Sequence, residues 1–161
     1  MKPNIRIGYG YDVHQLAENE ELWIGGILVP HEKGAVGHSD ADVLIHVICD
    51  ALLGAANLRD IGFHFSDQDP QYKGIDSKIL LENVMSLIRD KGYEVGNVDA
   101  TVCLQRPKLL PHIENMKSTL ARVMQIEIDE ISIKATTTEK LGFVGKEEGI
   151  AAHAVVLIYR P

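Results

Sequence analysis

Residues 39–57 read SDADVLIHVICDALLGAAN and contain no lysine, arginine or glutamate. Apolar side chains recur at helical spacing through this stretch, and Ser39 or Asp40 is a suitable N-cap, so the pattern predicts an α-helix. A helix that is apolar on nearly every side is buried in a globular protein. We therefore expect the rest of the chain to enclose this helix.

One narrow stripe of the predicted helix is polar. Asp42, His46 and Asp50 fall within about 80° of one another when residues are spaced at 100°. A thin solvated face is the usual explanation of such a stripe, but solvated faces normally carry Lys, Glu or Arg. Buried carboxylates are almost always paired or bound to a metal. The stripe therefore favours an internal site.

Residues 5–14, IRIGYGYDVH, alternate between apolar and other residues as a β-strand does. The pattern predicts that the strand packs on the core through its odd-numbered residues. Asp12 and His14 point to the same side of such a strand, so both can reach one ion. A surface strand end with an unrelated histidine would give the same short pattern.

With His46, this pair makes a set of two imidazoles and one carboxylate. Three protein ligands are typical of a catalytic zinc site, whereas a structural site has four. A histidine that binds a metal through one ring nitrogen usually donates a hydrogen bond from the N–H of the other ring nitrogen to a nearby acceptor. Asp42 or Asp50, each four residues from His46, is predicted to be that acceptor.

The remaining sequence predicts strands that alternate with helices. We expect the strand at 150–159 to be covered on both faces, because it is almost continuously apolar. The whole chain, residues 1–161, is predicted to form a single domain of the α/β (α+β layered) class, a mixed β-sheet with three main helices on one side. The other predicted elements are a small hairpin or a bulged strand at 22–29, helices at 77–91 and from Pro111 to about 125, and strands at 98–104 and 131–135.

Composition narrows the class of protein. The 161 residues are 45% hydrophobic and 24% charged, which is typical of a globular domain. A net charge of −7 argues against nucleic-acid binding. No stretch approaches the ~18 apolar residues of a membrane helix, and Met1–Asn4 lead directly into strand-like sequence, so we expect a cytoplasmic protein, bacterial in origin. Cys49 and Cys103 lie in apolar runs and predict buried free thiols.

Two further segments follow strands and carry polar groups. Residues 105–108, QRPK, open a helix with two cations, which favours anions. Residues 136–140, TTTEK, place hydroxyls and a carboxylate at a strand end. From composition alone, ordinary loop and capping chemistry explains both segments better. The acidic loop at 60–69 could hold a metal, ligand hydroxyls or nothing.

Eight segments occur together, in order and with compatible spacing: GYDVH (10–14), HSDADV (38–43), DALLGA (50–55), DIG (60–62), FSDQDP (65–70), KGYEVGNVD (91–99), QRPKLLPHI (105–113) and KATTTEKLGFVGKEEGIA (134–151). This set resembles the 2-C-methyl-D-erythritol 2,4-cyclodiphosphate synthase family. The similarity runs from Ile5 to about Ile158. A single segment would be weak evidence, but the set in register is highly specific.

The resemblance implies an enzyme of the non-mevalonate isoprenoid pathway. Its reaction converts 4-diphosphocytidyl-2-C-methyl-D-erythritol 2-phosphate to the 2,4-cyclodiphosphate and CMP. It implies a homotrimer with active sites between adjacent subunits and a sheet that lines the trimer interior, without nucleic-acid or membrane partners. It also implies zinc (Zn2+) on Asp12, His14 and His46, and a second divalent ion, Mg2+ or Mn2+, at Glu139 with the substrate phosphates.

The resemblance further implies which side chains act on the substrate. His38 and Thr137 correspond to catalytic groups that stabilise the transition state. Asp12, His14 and Ser39 correspond to substrate contacts near the zinc. Residues that match the erythritol-binding loop are Asp60, Ile61, Gly62, Phe65, Ser66, Asp67, Gln68 and Asp69. Residues that match the cytidine and phosphate pocket are Leu104, Gln105, Arg106, Pro107, Lys108, Leu109 and Leu110. Thr136, Thr138, Glu139, Phe143 and Lys146 complete the implied set.

At two positions the chain differs from some members of that family. Lys146 stands where arginine is common, and lysine lacks the planar fork that would hold an isoprenoid diphosphate on the trimer axis. Arg106 stands where some members carry a small residue, at the rim of the nucleotide pocket. Neither difference touches the predicted metal ligands.

Two other functions use the same residues. A metal-dependent nucleotide diphosphate hydrolase would release a linear phosphate instead of a cyclic product. A non-catalytic trimer that binds isoprenoid diphosphates around a structural zinc would need a fourth protein ligand. The sequence offers no obvious fourth ligand, so both alternatives rank below the synthase.

Overall fold

A five-stranded mixed β-sheet organises the chain, in a computed structural model that describes residues 4–161. Residues 1–3 lie outside the described residues. They are part of the predicted domain, and the expectation about the start of the chain concerns them. The strands are β1 (Ile5–Glu18), β4 (Lys33–Val36), β5 (Glu94–Cys103), β6 (Ile131–Thr136) and β7 (Gly149–Tyr159). Their order in the sheet is β4-β1-β7-β5-β6, with β5 and β6 parallel and the other neighbours antiparallel.

Three long helices cover one face of this sheet, as the sequence predicts. The helix α1 (Val43–Ala55) packs against β1 and β7, α4 (Ile113–Met124) packs against β6, and α3 (Ser77–Asp90) packs on both of these helices. A small hairpin formed by β2 (Trp23–Ile24) and β3 (Ile27–Leu28) lies beside them. The short helices are α2 at Ile61–His64 and α5 at Gly142–Gly145.

The α1 helix begins later than predicted, because its N-cap is Asp42 and not Ser39 or Asp40. The Asp42 carboxylate is fully buried. It accepts hydrogen bonds from the backbone N–H of Ile45 at 3.0 Å, of Gly25 at 2.9 Å and of Gly26 at 2.7 Å. One side chain therefore caps the helix and also fixes the turn of the hairpin.

The face of β1 that packs on the core is the even-numbered face, so the sequence prediction for this strand was wrong. A Cβ atom at Gly8 would lie 1.8 Å from the carbonyl oxygen of Ala51, and one at Gly10 would lie 2.3 Å from that of Val47. Only glycine lets the helix backbone approach the strand this closely. The α1 helix therefore rests directly on the backbone of β1.

The opposite face of the sheet is uncovered within the chain. The side chain of Ile7 is 68% exposed and that of Tyr9 is 60% exposed. The expectation that β7 is covered on both faces was also wrong, because Val155 is 44% exposed and Tyr159 is 37% exposed while their neighbours in the strand are buried. Exposed apolar faces of this kind are typical of surfaces that bind another protein or a ligand.

Most other elements lie where the sequence places them. Asp76 caps α3, whose helical residues end before Gly92. The third helix differs at its start, because Leu110–His112 form a 3-10 turn and α4 begins only at Ile113. Both cysteines are free thiols, with Cys49 buried and Cys103 half-buried. None of the helices within residues 4–161 combines the length and the apolar character needed to cross a membrane.

Candidate metal and substrate site

The three predicted metal ligands meet where β1 faces the first turn of α1. The distance from Asp12 Oδ2 to His14 Nε2 is 3.0 Å, and that from Asp12 Oδ2 to His46 Nδ1 is 3.3 Å. His14 Nε2 and His46 Nδ1 are 3.2 Å apart. All three side chains are half-buried. The strand alternation and the helical stripe therefore converge on one point.

Hydrogen bonds on the far side of each imidazole decide which nitrogen carries the proton. His14 Nδ1 lies 3.0 Å from the carbonyl oxygen of Val36, which can only accept, so Nδ1 donates. The Ser77 hydroxyl donates to the Asp40 carboxylate and must therefore accept from His46 Nε2, at 2.9 Å. In neutral imidazoles the nitrogens that face Asp12 are thus left with lone pairs, and they donate to its carboxylate only when a further proton is bound.

Three acceptor atoms this close together require positive charge between them. A tetrahedral zinc ion with bonds of about 2.0–2.1 Å holds its ligand atoms about 3.3 Å apart. The three distances in the structure match that spacing, so the residues fit a metal ion. Within residues 4–161, no fourth His, Cys, Asp or Glu side chain joins the group.

The pKa values of these side chains also indicate that the group attracts a positive charge. Burial raises the pKa of Asp12, but hydrogen bonds from His14 and His46 and their charges outweigh it and hold the pKa well below its ordinary value. Burial lowers the pKa of His14, but its contact with the Asp12 carboxylate raises that pKa above its ordinary value overall. The carboxylate is therefore ionised and attracts a proton or a metal ion.

The prediction that Asp42 or Asp50 holds the second nitrogen of His46 was wrong. The Asp42 oxygens serve the hairpin and the helix cap, and Asp50 accepts instead from the backbone N–H of Ile61 at 2.8 Å. Two serine hydroxyls hold His46 Nε2, from Ser39 at 3.0 Å and from Ser77 at 2.9 Å. The sequence places Ser77 only at the start of the helix predicted at 77–91, because nothing in its spacing connects it with His46.

A cavity of about 430 Å³ opens beside the metal group. The side chains of His14, Ser39 and His46 line one end of this cavity, and Tyr72, Ile75 and Leu80 line it without having been predicted. His38 lies on its wall, where its Nε2 donates to the Asp69 carbonyl at 3.2 Å. The predicted loop residues that line the cavity are Ile61, Gly62, Phe65 and Asp67.

A second cavity, of about 400 Å³, lies between the ends of β5 and β6 and the start of α4. Its predicted lining residues are Leu104, Gln105, Pro107, Lys108, Leu109, Leu110, Thr136 and Thr137. Ile113 and Ile133 add apolar wall that was not predicted. The cavity therefore combines a largely apolar interior with two lysines, Lys108 and Lys134, and two threonine hydroxyl groups.

Apart from Asp12 of the metal group, nine predicted site residues line neither cavity of this chain. Asp60 caps α2, and Asp69 caps the 3-10 turn that follows the loop. Thr138 donates to the carbonyl of Leu141 at 2.7 Å. The remaining residues of this set are Ser66, Gln68, Arg106, Glu139, Phe143 and Lys146.

The two cavities lie at the same end of the sheet, where β1 and β5 end and β7 begins. The ends of β1 and β5 both pair with the start of β7, through Gln15 opposite Gly149 and Cys103 opposite Ala151. Three strand spacings separate β1 from β6, which is about 14 Å. The metal group and the second cavity are therefore two separate half-sites within one chain.

Comparison with known proteins shows what this chain is similar to. A family model described as the YgbB family matches residues 5–159. The chain is 66% identical over 156 residues, which are 97% of its length and 98% of the relative's, to the 2-C-methyl-D-erythritol 2,4-cyclodiphosphate synthase of Bacteroides fragilis.

Solved structures agree with this similarity. A CDP-bound form of a 2C-methyl-D-erythritol-2,4-cyclodiphosphate synthase aligns with a TM-score of 0.88 at 38% identity, covering 95% of this chain and 99% of that one. The bifunctional IspDF from Campylobacter jejuni aligns with a TM-score of 0.94 at 40% identity over 98% of this chain. The chain spans 42% of the length of that bifunctional protein.

Proposed function

The chain belongs to the YgbB family, and we propose that it is a 2-C-methyl-D-erythritol 2,4-cyclodiphosphate synthase. The reaction is the intramolecular attack of the 2-phosphate of 4-diphosphocytidyl-2-C-methyl-D-erythritol 2-phosphate on the β-phosphorus, with CMP as the leaving group. The observation that carries this proposal is the Asp12–His14–His46 group, set in a chain similar to the synthases over nearly its whole length.

Two metal sites follow from this proposal. Asp12, His14 and His46 hold zinc, and Glu139 holds Mg2+ or Mn2+ together with the substrate phosphates. When bound, the ions supply positive charge that stabilises phosphate oxygens in the transition state. A protein with a net charge of −7 gains in this way the local positive potential that a polyanionic substrate needs.

The side chains of this protein position the substrate and do not attack it. The nucleophile is the substrate's own phosphate, so no protein nucleophile is required, and catalysis comes from alignment and charge stabilisation. Lys108 at the second cavity binds the nucleotide phosphate, while Thr137 at that cavity and His38 at the cavity beside the metal stabilise the transition state. Phe65 and Leu80 reduce access of water, which would otherwise hydrolyse the diphosphate.

A complete active site needs both half-sites at one substrate. Within one chain they are about 14 Å apart across the sheet. The uncovered apolar face of β1 and β7 offers an association surface. We propose a cytoplasmic homotrimer in which the metal half-site of one subunit faces the nucleotide half-site of the next.

Product analysis tests the proposal directly. The purified protein is supplied with the substrate, zinc and Mg2+, and the products are identified by phosphorus NMR. Formation of CMP and the cyclic diphosphate in equal amounts is the expected result. CMP with a linear phosphate would indicate a hydrolase, and no turnover by a folded, metal-loaded protein would reject an enzymatic role.

A further inference from the structure

Six of the seven residues from Leu104 to Leu110 line the second cavity, and Arg106 is the exception. Its guanidinium points away from the cavity and is bound by two carboxylates. Nε donates to Glu147 Oε1 at 2.7 Å, and Nη2 donates to Glu32 Oε1 at 2.9 Å. The side chain therefore bridges three segments that are far apart in the sequence.

Glu147, the first of these partners, is itself fixed in place. Lys33 Nζ donates to its carbonyl oxygen at 3.0 Å, and its own N–H donates to the carbonyl of Val144 at 3.0 Å. Its φ of 59° lies in the left-handed region, which is costly for a residue other than glycine. Such a conformation persists only where surrounding contacts determine it, so Glu147 is a rigid anchor for Arg106.

The stretch 106–108 has few other polar contacts. The Leu104 N–H donates to the carbonyl of Thr136 at 3.0 Å, and the Gln105 side chain accepts from the N–H of Lys140 at 3.2 Å. Leu109 is buried. Between these anchors, residues 106–108 form no hydrogen bond with the backbone of another described residue. The fork of Arg106 is thus the main polar tie that orders this stretch.

We propose that Arg106 is a positioning residue for nucleotide binding. Through Glu147 and Glu32 it holds residues 106–108 in the conformation that presents Pro107 and Lys108 to the second cavity. Without this tie, binding must order the stretch and lose the corresponding conformational entropy. This inference rests on the proposed function, because it takes the second cavity to be the nucleotide site.

The first test removes the arginine. Arg106→Ala is expected to raise both the KM of the substrate and the Kd of CDP, measured by calorimetry, by about five- to tenfold, since two exposed ion pairs are lost. The kcat stays within about twofold, because the tie acts on binding and not on the reacting atoms. Arg106→Lys gives an intermediate loss, since one ammonium cannot reproduce the planar fork. The melting temperature is measured for each variant to separate binding from unfolding.

The second test separates positioning from direct contact with the nucleotide. If Arg106 acts through Glu147, then Glu147→Gln also weakens CDP binding, and the double variant binds no more weakly than Arg106→Ala alone. If Arg106 contacts the nucleotide itself, Glu147→Gln frees the guanidinium, and CDP binding stays unchanged or becomes tighter. That second result would overturn the proposal.

A control and a further readout complete the design. Arg89→Ala removes another arginine–glutamate pair, with Glu94 at 3.5 Å, and should leave the Kd of CDP unchanged. If the wild-type protein makes the cyclic diphosphate but Arg106→Ala binds CDP with the same affinity, only the positioning role of Arg106 is overturned. If the wild-type protein makes no cyclic product but Arg106→Ala and Glu147→Gln both weaken CDP binding, the synthase proposal is rejected and the positioning role of Arg106 is supported.

Discussion

At the scale of single residues, the metal group depends on hydrogen bonds that no side-chain pattern reveals. Alternation in β1 and helical spacing in α1 are enough to predict that Asp12, His14 and His46 can face one another. The atoms that orient the two imidazoles are a backbone carbonyl, at Val36, and the hydroxyl of Ser77, which lies 31 residues beyond His46. Neither has a periodic signal, so the sequence pointed to nearby carboxylates instead.

His46 is the ligand whose loss should separate metal binding from folding. We expect His46→Ala to lose stoichiometric zinc and turnover while the protein remains folded, because the side chain is half-buried at the sheet edge and other contacts hold α1. Metal content is measured by atomic emission, and folding by circular dichroism. His112→Ala, which changes a histidine outside the metal group, is the matched control. Stoichiometric zinc in the His46 variant would reject the ligand assignment.

Ser77 tests the hydrogen bond behind His46. Ser77→Ala removes one of two hydroxyls that accept from Nε2, so we expect zinc affinity to fall by about tenfold, at the lower end of such effects. Competition with a chelator measures the affinity. Ser86→Ala, an exposed serine on the same helix, should leave it unchanged. Equal zinc affinities for the two variants would show that Ser39 alone orients the ring.

At the scale of elements, the contact between β1 and α1 explains both the success and the failure of the sequence prediction. Periodicity indicates which residues share a face of a strand, but it does not indicate which face another element covers. Hydrophobicity favoured the odd face of β1, whereas the absence of a Cβ at Gly8 and Gly10 lets the helix pack on the even face. Similarly, the N-cap of α1 is Asp42 and not the predicted Ser39 or Asp40, because the Asp42 carboxylate also binds the turn of the hairpin.

The close contact of strand and helix predicts opposite effects for the same substitution at two glycines. In Gly10→Ala the new Cβ would lie 2.3 Å from the Val47 carbonyl oxygen, so the helix must move. We expect a loss of about 2–4 kcal/mol in the free energy of unfolding, or no folding at all. Gly54→Ala, in α1 itself, meets nothing within 4 Å and should stabilise the protein by about 0.5–1 kcal/mol. Urea denaturation measures both values, and similar stability of the two variants would contradict this packing.

At the scale of the whole molecule, the fold places two incomplete half-sites at the same end of the sheet. It leaves uncovered the sheet face opposite the helices. The mixed sheet with three helices on one side was predictable from the order and spacing of its elements. The exposed face was not, because an apolar strand has the same pattern whether its cover is a helix of the same chain or another subunit. The proposed trimer accounts for both features, since it covers the face and joins the half-sites.

Complementation between inactive variants tests this assembly. His46→Ala damages the metal half-site and Lys108→Ala damages the nucleotide half-site. If each active site combines halves from two subunits of a closed ring, random mixing of equal amounts leaves about one quarter of the sites with both halves intact. Co-refolded mixtures should therefore recover about a quarter of the wild-type rate, whereas each variant alone stays inactive.

The control mixture pairs two variants of the same half-site. His46→Ala mixed with Asp12→Ala leaves a damaged metal group in every subunit, so no active site can be complete and no activity should return. Light scattering establishes that both mixtures contain the same assemblies, which separates a failure of association from a failure of catalysis. Rescue in the control would show that activity returns by another route. No rescue in a fully assembled mixture of His46→Ala and Lys108→Ala would show that each subunit completes its own site, because damage to either half would then inactivate that subunit whatever its neighbours carry.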